Sequence, residues 1–497
     1  MDVVTITLNL LRKLKICENN AICPRSVCKA MNNATKQENR KPGTLDWQMT
    51  RFQFDYPEKL QGLPLTRGLR STTIEGYASR TSVYPGDSIE LMVSTSPACP
   101  FTVDIYRTGY YGGTGGRHIL KLGPFKGETQ AVPMETIERL RECNWEPCTT
   151  LQIPADWVSG VYLAKLTRQA APCAQSFIIF VVKERRKTYI LVQVSDLTWQ
   201  AYNKWPGTNS LYDDGSPQLW YQGPNVRVSF DRPYTKYCQI FDAPLSCGSG
   251  EFLLWEFPLA FWLESEGYDV TYCSNLDLHG DPKLIESCRA FISVGHDEYW
   301  TREMYANAAA ARDKGVSLLF LCGNSLYHEI IPYANPASSA PFRSFARKKR
   351  FSDEHELMGS TSYGIGYGDW TVTKPDHWLF AGTDLKAGDT IPGLIGWEFH
   401  GRPFKNTDEL EVIARSDLIG GENNTKKGDN GHEAVIYRCP KGNWVFNAGT
   451  IWWADGLSSP PGHIPAMGTY GRVQGPDSRV QQITRNLLSA CLHRNHS

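Results

Sequence analysis

Five side chains suited to catalysis or metal binding fall just after apolar runs of this chain. Tyr202 lies in Thr198-Trp199-Gln200-Ala201-Tyr202-Asn203, and Tyr234 follows Asp231-Arg232-Pro233. His296 and Glu298 stand in Gly295-His296-Asp297-Glu298-Tyr299-Trp300, and Asn324 follows Gly323. His296 and Glu298 are two apart, so in extended backbone both face one side. The glutamate is an oxygen ligand or a general base; the histidine is a base, a ligand or a hydrogen-bond donor. Asn324 suits an orienting or oxyanion-stabilising donor. A tyrosine binds a metal only as phenolate. With an ordinary pKa near ~10, it needs a hard, strongly acidic cation to lose its proton at neutral pH. Tyrosinate ligation of iron has a precedent in haem enzymes.

These residues act together only if the backbone brings them together. Apolar runs predict strands over residues 189–194, 226–230, 268–272, 290–294 and 316–321, with a further strand at 444–447. Helices are expected over 251–266, bent or started late by Pro258, and over 302–314, ended by Gly315. Strands alternating with helices predict a doubly wound parallel sheet, which binds ligands beyond its carboxyl ends. If the strands preceding Tyr202, Tyr234, His296 and Asn324 are parallel, all five side chains share one rim. Cys322 ends the strand before Asn324, where a cysteine nucleophile would stand in a glutamine amidotransferase-like fold. No partner histidine is evident nearby, so it reads first as a buried structural thiol. Neither a Gly-x-Ser-x-Gly elbow nor a His-Glu-x-x-His motif occurs. The basic run Arg347-Lys348-Lys349-Arg350 reads as a solvated turn.

Upstream, short alternating runs at residues 73–77, 88–93, 101–106, 161–166 and 177–182 predict an immunoglobulin-like β-sandwich. Within it Arg107, Tyr110 and Tyr111 form either a domain interface or a structured hairpin. Residues 1–50 are polar and irregular and read as tail or linker. The expected layout is therefore a tail over 1–50, a β-sandwich over 51–185 and an α/β catalytic domain over 186–497.

Composition narrows the function classes. The 497 residues carry 52 Lys plus Arg against 52 Asp plus Glu, a formal net charge of zero. That balance points away from nucleic acid and from anionic membrane surfaces. No stretch reaches the ~18 apolar residues of a membrane span. In residues 1–16 the charges Arg12, Lys13 and Lys15 follow the apolar run rather than precede it, unlike a secretion signal. The expected location is the cytoplasm. Cys143 with Cys148, and Cys238 with Cys247, would be disulfide candidates only in a secreted chain.

The four segments around Tyr202, Tyr234, His296 and Asn324 resemble the large subunit of N,N-dimethylformamidase. Ile74-Glu75-Gly76-Tyr77 and Tyr106-Arg107-Thr108-Gly109-Tyr110-Tyr111-Gly112-Gly113 are similar to the same family. The resemblance runs in order over about residues 70 to 490. It implies a mononuclear ferric iron, Fe(III), that hydrolyses a small amide, with Tyr202, Tyr234 and Glu298 as ligands. His296 and Asn324 match family residues around the metal, as base or hydrogen-bond donors. A further family glutamate corresponds to Glu398 in Gly396-Trp397-Glu398, or else to Glu433. The resemblance also implies a small partner subunit, and a homo-oligomer is open. This chain departs from the family enzyme in its N-terminal region and in a shorter segment between Asn324 and Glu398.

Overall fold

The computed structural model describes residues 33–55, 69–217, 220–238, 241–242, 246–334, 341–396, 398–401, 409–418, 431–463 and 475–493. The N-terminal apolar run and Cys17, Cys23 and Cys28 lie outside these. The first half forms two mostly antiparallel sheets. One contains Glu75–Ala78, Ser88–Ser94 and Pro147–Gln152. The other orders Ser82–Val83, Gln175–Val182, Gly160–Arg168, Phe101–Thr108 and Gly116–Phe125. Side-chain alternation lets the second sheet serve two cores. Ile178, Phe180 and Val182 meet Ile89, Leu91 and Val93 between the two sheets. Phe177, Ile179 and Val181 join a different core, shared with the second half of the chain. That double cover is why Gln175–Val182 is buried at every position.

The second half is built on a nine-stranded mixed sheet. Val270–Ser274, Ile190–Val194, Ala290–Gly295, Ser317–Cys322 and Trp444–Asn447 run parallel in that order. Antiparallel strands Gly431–Arg438, Glu398–Gly401 and Thr361–Ile365 extend it, with Leu410–Asp417 paired to Gly431–Arg438. The protein is thus a mixed α/β, multi-sheet molecule with one largely parallel sheet. The helix expected over 251–266 begins as a π-helical turn, Phe252–Glu256, and becomes regular at Phe257–Ser265, with Pro258 in its first turn.

The strand before Tyr234 departs from expectation. Arg227–Ser229 lies outside the parallel sheet and pairs antiparallel with Ser344–Arg350, in a separate four-stranded sheet. Its sequence shows why. Val226, Val228 and Phe230 are buried and alternate with the polar Arg227 and Ser229. A central parallel strand reads as a near-continuous apolar run, which this alternation does not; Ser229, although buried, is satisfied by bonds to Glu142 at 2.9 Å and to the Arg343 carbonyl at 3.0 Å. The basic run 347–350, expected as a solvated turn, is the end of strand Ser344–Arg350, and Arg347 in it is buried.

Residues 34–50 were expected as tail, yet they contain the helix Ala34–Glu38 and pack closely. The Thr35 hydroxyl donates to the Val270 carbonyl at 3.0 Å, and the Trp47 indole N–H donates to the Thr114 carbonyl at 2.9 Å. A few apolar anchors outweigh the polar composition of the stretch. Arg107 is fully buried and donates to Glu264 on the helix Phe257–Ser265 at 2.8 Å and to the Tyr111 hydroxyl at 3.1 Å. The 106–116 run is therefore both a hairpin turn and a contact to the second half. Among the described residues, Cys143, Cys148 and Cys247 are free thiols, and no helix is long and apolar enough to cross a membrane.

Candidate functional site

Strand Ile190–Val194 leads into the helix Asp196–Tyr202, whose last residue is the buried Tyr202. Strand Ala290–Gly295 ends on a glycine with φ 73°. A Cβ at Gly295 would stand 2.6 Å from Trp255 Cβ, so glycine is required for the chain to turn there. Beyond it, successive side chains take opposite sides. Asp297 accepts bonds from Gln193 at 2.7 Å, Ser293 at 2.8 Å and Asn275 at 2.9 Å, which ties the segment to the strand ends. His296 and Glu298 meet a different set of partners.

Strand Ser317–Cys322 ends at Gly323 and Asn324, and the turn is stitched to the segment just described. The N–H groups of Gly323, Leu326 and Tyr327 donate to the carbonyls of Gly295, Asp297 and Glu298 at 3.2, 3.2 and 2.9 Å. Asn324 has φ 51°, a left-handed conformation that asparagine tolerates. A Cβ on Gly323 would fall 2.3 Å from the Glu398 carbonyl oxygen, so this glycine admits the strand Glu398–Gly401.

Glu298 is the hub. Its Oε2 accepts from the Tyr202 hydroxyl at 2.6 Å and lies 3.3 Å from His296 Nε2. Its Oε1 is 3.3 Å from the Tyr212 hydroxyl and 3.5 Å from His328 Nε2. Tyr212 donates to the Tyr202 oxygen at 2.7 Å and accepts from the Tyr299 hydroxyl at 2.6 Å. His296 Nε2 also lies 2.7 Å from Glu398 Oε2. His296, Glu298 and Glu398 are all buried and offer ligand atoms within 4.8 Å of one another, an arrangement that could hold a metal ion.

Burial and charge perturb the tyrosines and histidines of the cluster. Burial raises the Tyr202 and Tyr212 hydroxyls well above their ordinary pKa, and the adjacent Glu298 carboxylate adds to it. At His296 burial opposes the charged form, but Glu398 and Glu298 outweigh it and raise the pKa well above the usual value. His328 is pushed down to about 3 by burial, which Glu298 only partly offsets. Glu251 is pushed up to about 7, first by burial. His296 lowers it while Glu298 and Glu398 raise it further, so Glu251 lies within the field of the site.

Of the residues anticipated from sequence, Tyr202, His296, Glu298 and Glu398 come together, with Asn324 on the adjoining turn. Tyr234 stands elsewhere. Its ring packs on Trp199 at 6.2 Å between centroids. Burial raises its pKa, and the charges that act on it are Asp196, Arg343 and Arg232. Glu433 is bonded to Arg415 at 2.6 Å. Cys322 is buried beside Ser293, and burial pushes its thiol up to about 12, against what a nucleophile requires. Tyr212, Tyr299, His328, Glu251 and Arg347 were missed. Tyr212 follows no strand, so the strand-end rule could not find it, although Ser210-Leu211-Tyr212 lies only ten residues past Tyr202.

A parallel sheet that ends in a buried cluster of carboxylate, imidazole and phenol groups defines a class of protein able to hold a metal ion there. Residues 102–466 match the family model described as N,N-dimethylformamidase beta subunit-like, C-terminal. The chain belongs to that family. No match is found among curated proteins.

Proposed function

We propose that this chain is a metal-dependent hydrolase that cleaves the C–N bond of a small amide of the N-substituted formamide kind. The observation that carries the reading is the buried Glu298 carboxylate, bonded to Tyr202 at 2.6 Å with Tyr212 3.3 Å away. Three hard oxygens so closely spaced suit one small, highly charged cation, and the family description supports an amide as substrate. The proposed ion is a single ferric iron held by Tyr202, Tyr212 and Glu298, with Tyr212 in the role expected of Tyr234. Bound there, it would polarise the amide carbonyl and acidify water.

The chain's own groups then move the protons. The His296–Glu398 pair receives the proton of the attacking water at Glu398 and delivers one from His296 to the leaving nitrogen as the C–N bond breaks. The products are a carboxylic acid and an amine. The Asn324 amide donates to the carbonyl oxygen as it gains negative charge. His296, Glu298 and Glu398 form a second possible donor set, supported by their mutual distances. It differs from the first in needing His296 rather than the tyrosines.

The two-sheet unit is read as immunoglobulin-like and the parallel-sheet unit as glutamine amidotransferase-like, divided near residue 185. The name of the family, that of a beta subunit, supports a small partner subunit. Metal analysis with an assay on short N-alkyl formamides tests the function. The expected result is bound iron, visible colour from tyrosinate-to-iron charge transfer, and turnover. A colourless, metal-free protein after iron-supplemented expression that leaves amides intact refutes it.

A further inference from the structure

Arg347 is 4 % exposed, although Lys348, Lys349 and Arg350 beside it are on the surface. Its guanidinium lies 4.8 Å from the centre of the Tyr212 ring. Nη2 donates to the Tyr299 hydroxyl at 3.3 Å, and Tyr299 in turn donates to the Tyr212 oxygen at 2.6 Å. Nη1 faces the carbonyls of Gly223, Tyr221 and Leu211 at 3.2, 3.4 and 3.5 Å. Leu211 is the residue before Tyr212. Arg347 therefore grips Tyr212 from two directions, through the backbone that carries it and through the hydroxyl of Tyr299.

A second fact concerns charge. No carboxylate among the described residues lies within ion-pair distance of Arg347, whereas the buried Arg107 has Glu264 and the buried Arg343 has Asp231. A buried cation is costly unless an anion answers it. The groups able to carry negative charge that act on Arg347 are Tyr299, Tyr212 and Glu298. A metal ligand that loses a proton gains that charge, and hydrogen-bond donors behind a ligand fix its orientation and its basicity.

We propose that Arg347 and Tyr299 are positioning residues that hold the Tyr212 oxygen at the metal and offset its charge as phenolate. This rests on the reading of Tyr212 as a ligand. Tyr299 supplies the O–H that a deprotonated Tyr212 accepts, and Arg347 supplies the positive charge behind both rings. The device explains why one cation of an otherwise surface-exposed basic run points inward.

The test compares iron-loaded wild type with Tyr299→Phe, Arg347→Met and Arg347→Lys. The readouts are visible absorption, iron loss to a chelator, and melting temperature. Loss of a donor or a positive charge raises the energy of the phenolate electrons. The band of Tyr299→Phe and of Arg347→Met is therefore expected to move to longer wavelength, with iron affinity reduced by about 10–100-fold. Arg347→Lys, which keeps the charge, falls between these and wild type. Tyr299→Phe keeps the ring and its packing, so it reports even if Arg347→Met folds poorly. A lower melting temperature with an unmoved band and unchanged iron affinity would mean a purely structural role, and overturns the proposal. Wild-type protein without iron overturns the metal reading, and this proposal with it. Iron-loaded wild type with unaltered variants overturns only the role of Arg347 and Tyr299.

Discussion

His296 Nε2 lies 2.7 Å from Glu398 Oε2, although His296 follows a central parallel strand and Glu398 starts an antiparallel strand beyond Trp444–Asn447 and Gly431–Arg438. The sheet brings the pair together through the Gly323 turn, which lies against the Glu398 backbone. Burial works against a charged imidazole, and the two carboxylates reverse it. A step that needs protonated His296 therefore persists as pH rises and fades only above its raised pKa. Removing one carboxylate lowers that pKa. In Glu398→Gln the alkaline limb of kcat against pH is expected to move to lower pH, with turnover reduced by ~10²–10⁴. Iron content should stay near wild type. An alkaline limb that does not move removes Glu398 from the proton transfer.

Tyr212 and Tyr234 separate the proposed ligand set from the one that the family resemblance implies. Phenylalanine keeps the ring and removes the oxygen. Tyr212→Phe is expected to lose most bound iron, whereas Tyr234→Phe, whose ring packs on Trp199, keeps it. Elemental analysis of both purified variants decides. Retention in Tyr212→Phe together with loss in His296→Ala would favour the donor set of His296, Glu298 and Glu398.

What could be read from sequence follows a physical divide. The parallel strands were legible because a strand buried on both faces is apolar throughout, as in Ile190–Val194 and Ser317–Cys322. That Tyr202, His296, Glu298 and Asn324 lie just beyond the ends of such strands was legible for the same reason. The run before Tyr234 was placed in the parallel sheet, although its alternation of apolar and polar residues does not fit a central parallel strand. Tyr212 and Glu251 were hidden because neither follows a strand; long-range packing alone brings them in. Arg347 was hidden because a run of four cations reads as solvent-facing. In the strand Ser344–Arg350 only the first member of that run, Arg347, is buried, where it continues the buried run 344–346.

Cys322 gives a test of the competing chemistry. Its thiol is fully buried and pushed up to about 12, so almost none is thiolate near neutral pH. Cys322→Ser is expected to keep most turnover and to cost about 1–2 kcal/mol of stability, because a hydroxyl replaces a soft apolar group. Steady-state kinetics and denaturant unfolding check both. Lost turnover in a folded, iron-loaded variant would restore the cysteine hydrolase.

The Arg107–Glu264 pair is a buried ion pair at 2.8 Å in the contact between the two halves. Both side chains are fully buried, and Tyr272 also donates to Glu264 at 3.0 Å. Removing one partner leaves the other charge buried and uncompensated, at ~3–5 kcal/mol. Arg107→Met should lower the melting temperature sharply. The double variant Arg107→Met with Glu264→Leu should recover part of the loss. Failure to recover would mean that the lost packing, and not the stranded charge, dominates.

His400 links acid stability to the site. Its Nε2 accepts the Ser325 N–H at 2.9 Å, and Nδ1 lies 2.7 Å from the Asn447 oxygen, so the neutral ring carries its proton on Nδ1. Burial pushes its pKa down to about 4, with Asn447 opposing only weakly. In the unfolded chain the value is ~6.5. Between those values the unfolded state binds the extra proton and the folded state does not, so stability is fully present above ~6.5 and is lost as pH falls through about 4. For this one group the loss is about 3 kcal/mol. Protonation would also place an N–H against the Ser325 N–H, one residue from Asn324, so the turn carrying Asn324 loosens with it. His400→Gln cannot take up the proton, yet its side-chain oxygen can still accept from Ser325. The variant is expected to be less stable than wild type at pH 7 but to lose less stability between pH 7 and pH 4. Denaturant unfolding across that range measures both slopes. Since the carboxylates are common to both proteins, the difference in slope isolates His400, and equal slopes would show that its ring is not kept neutral.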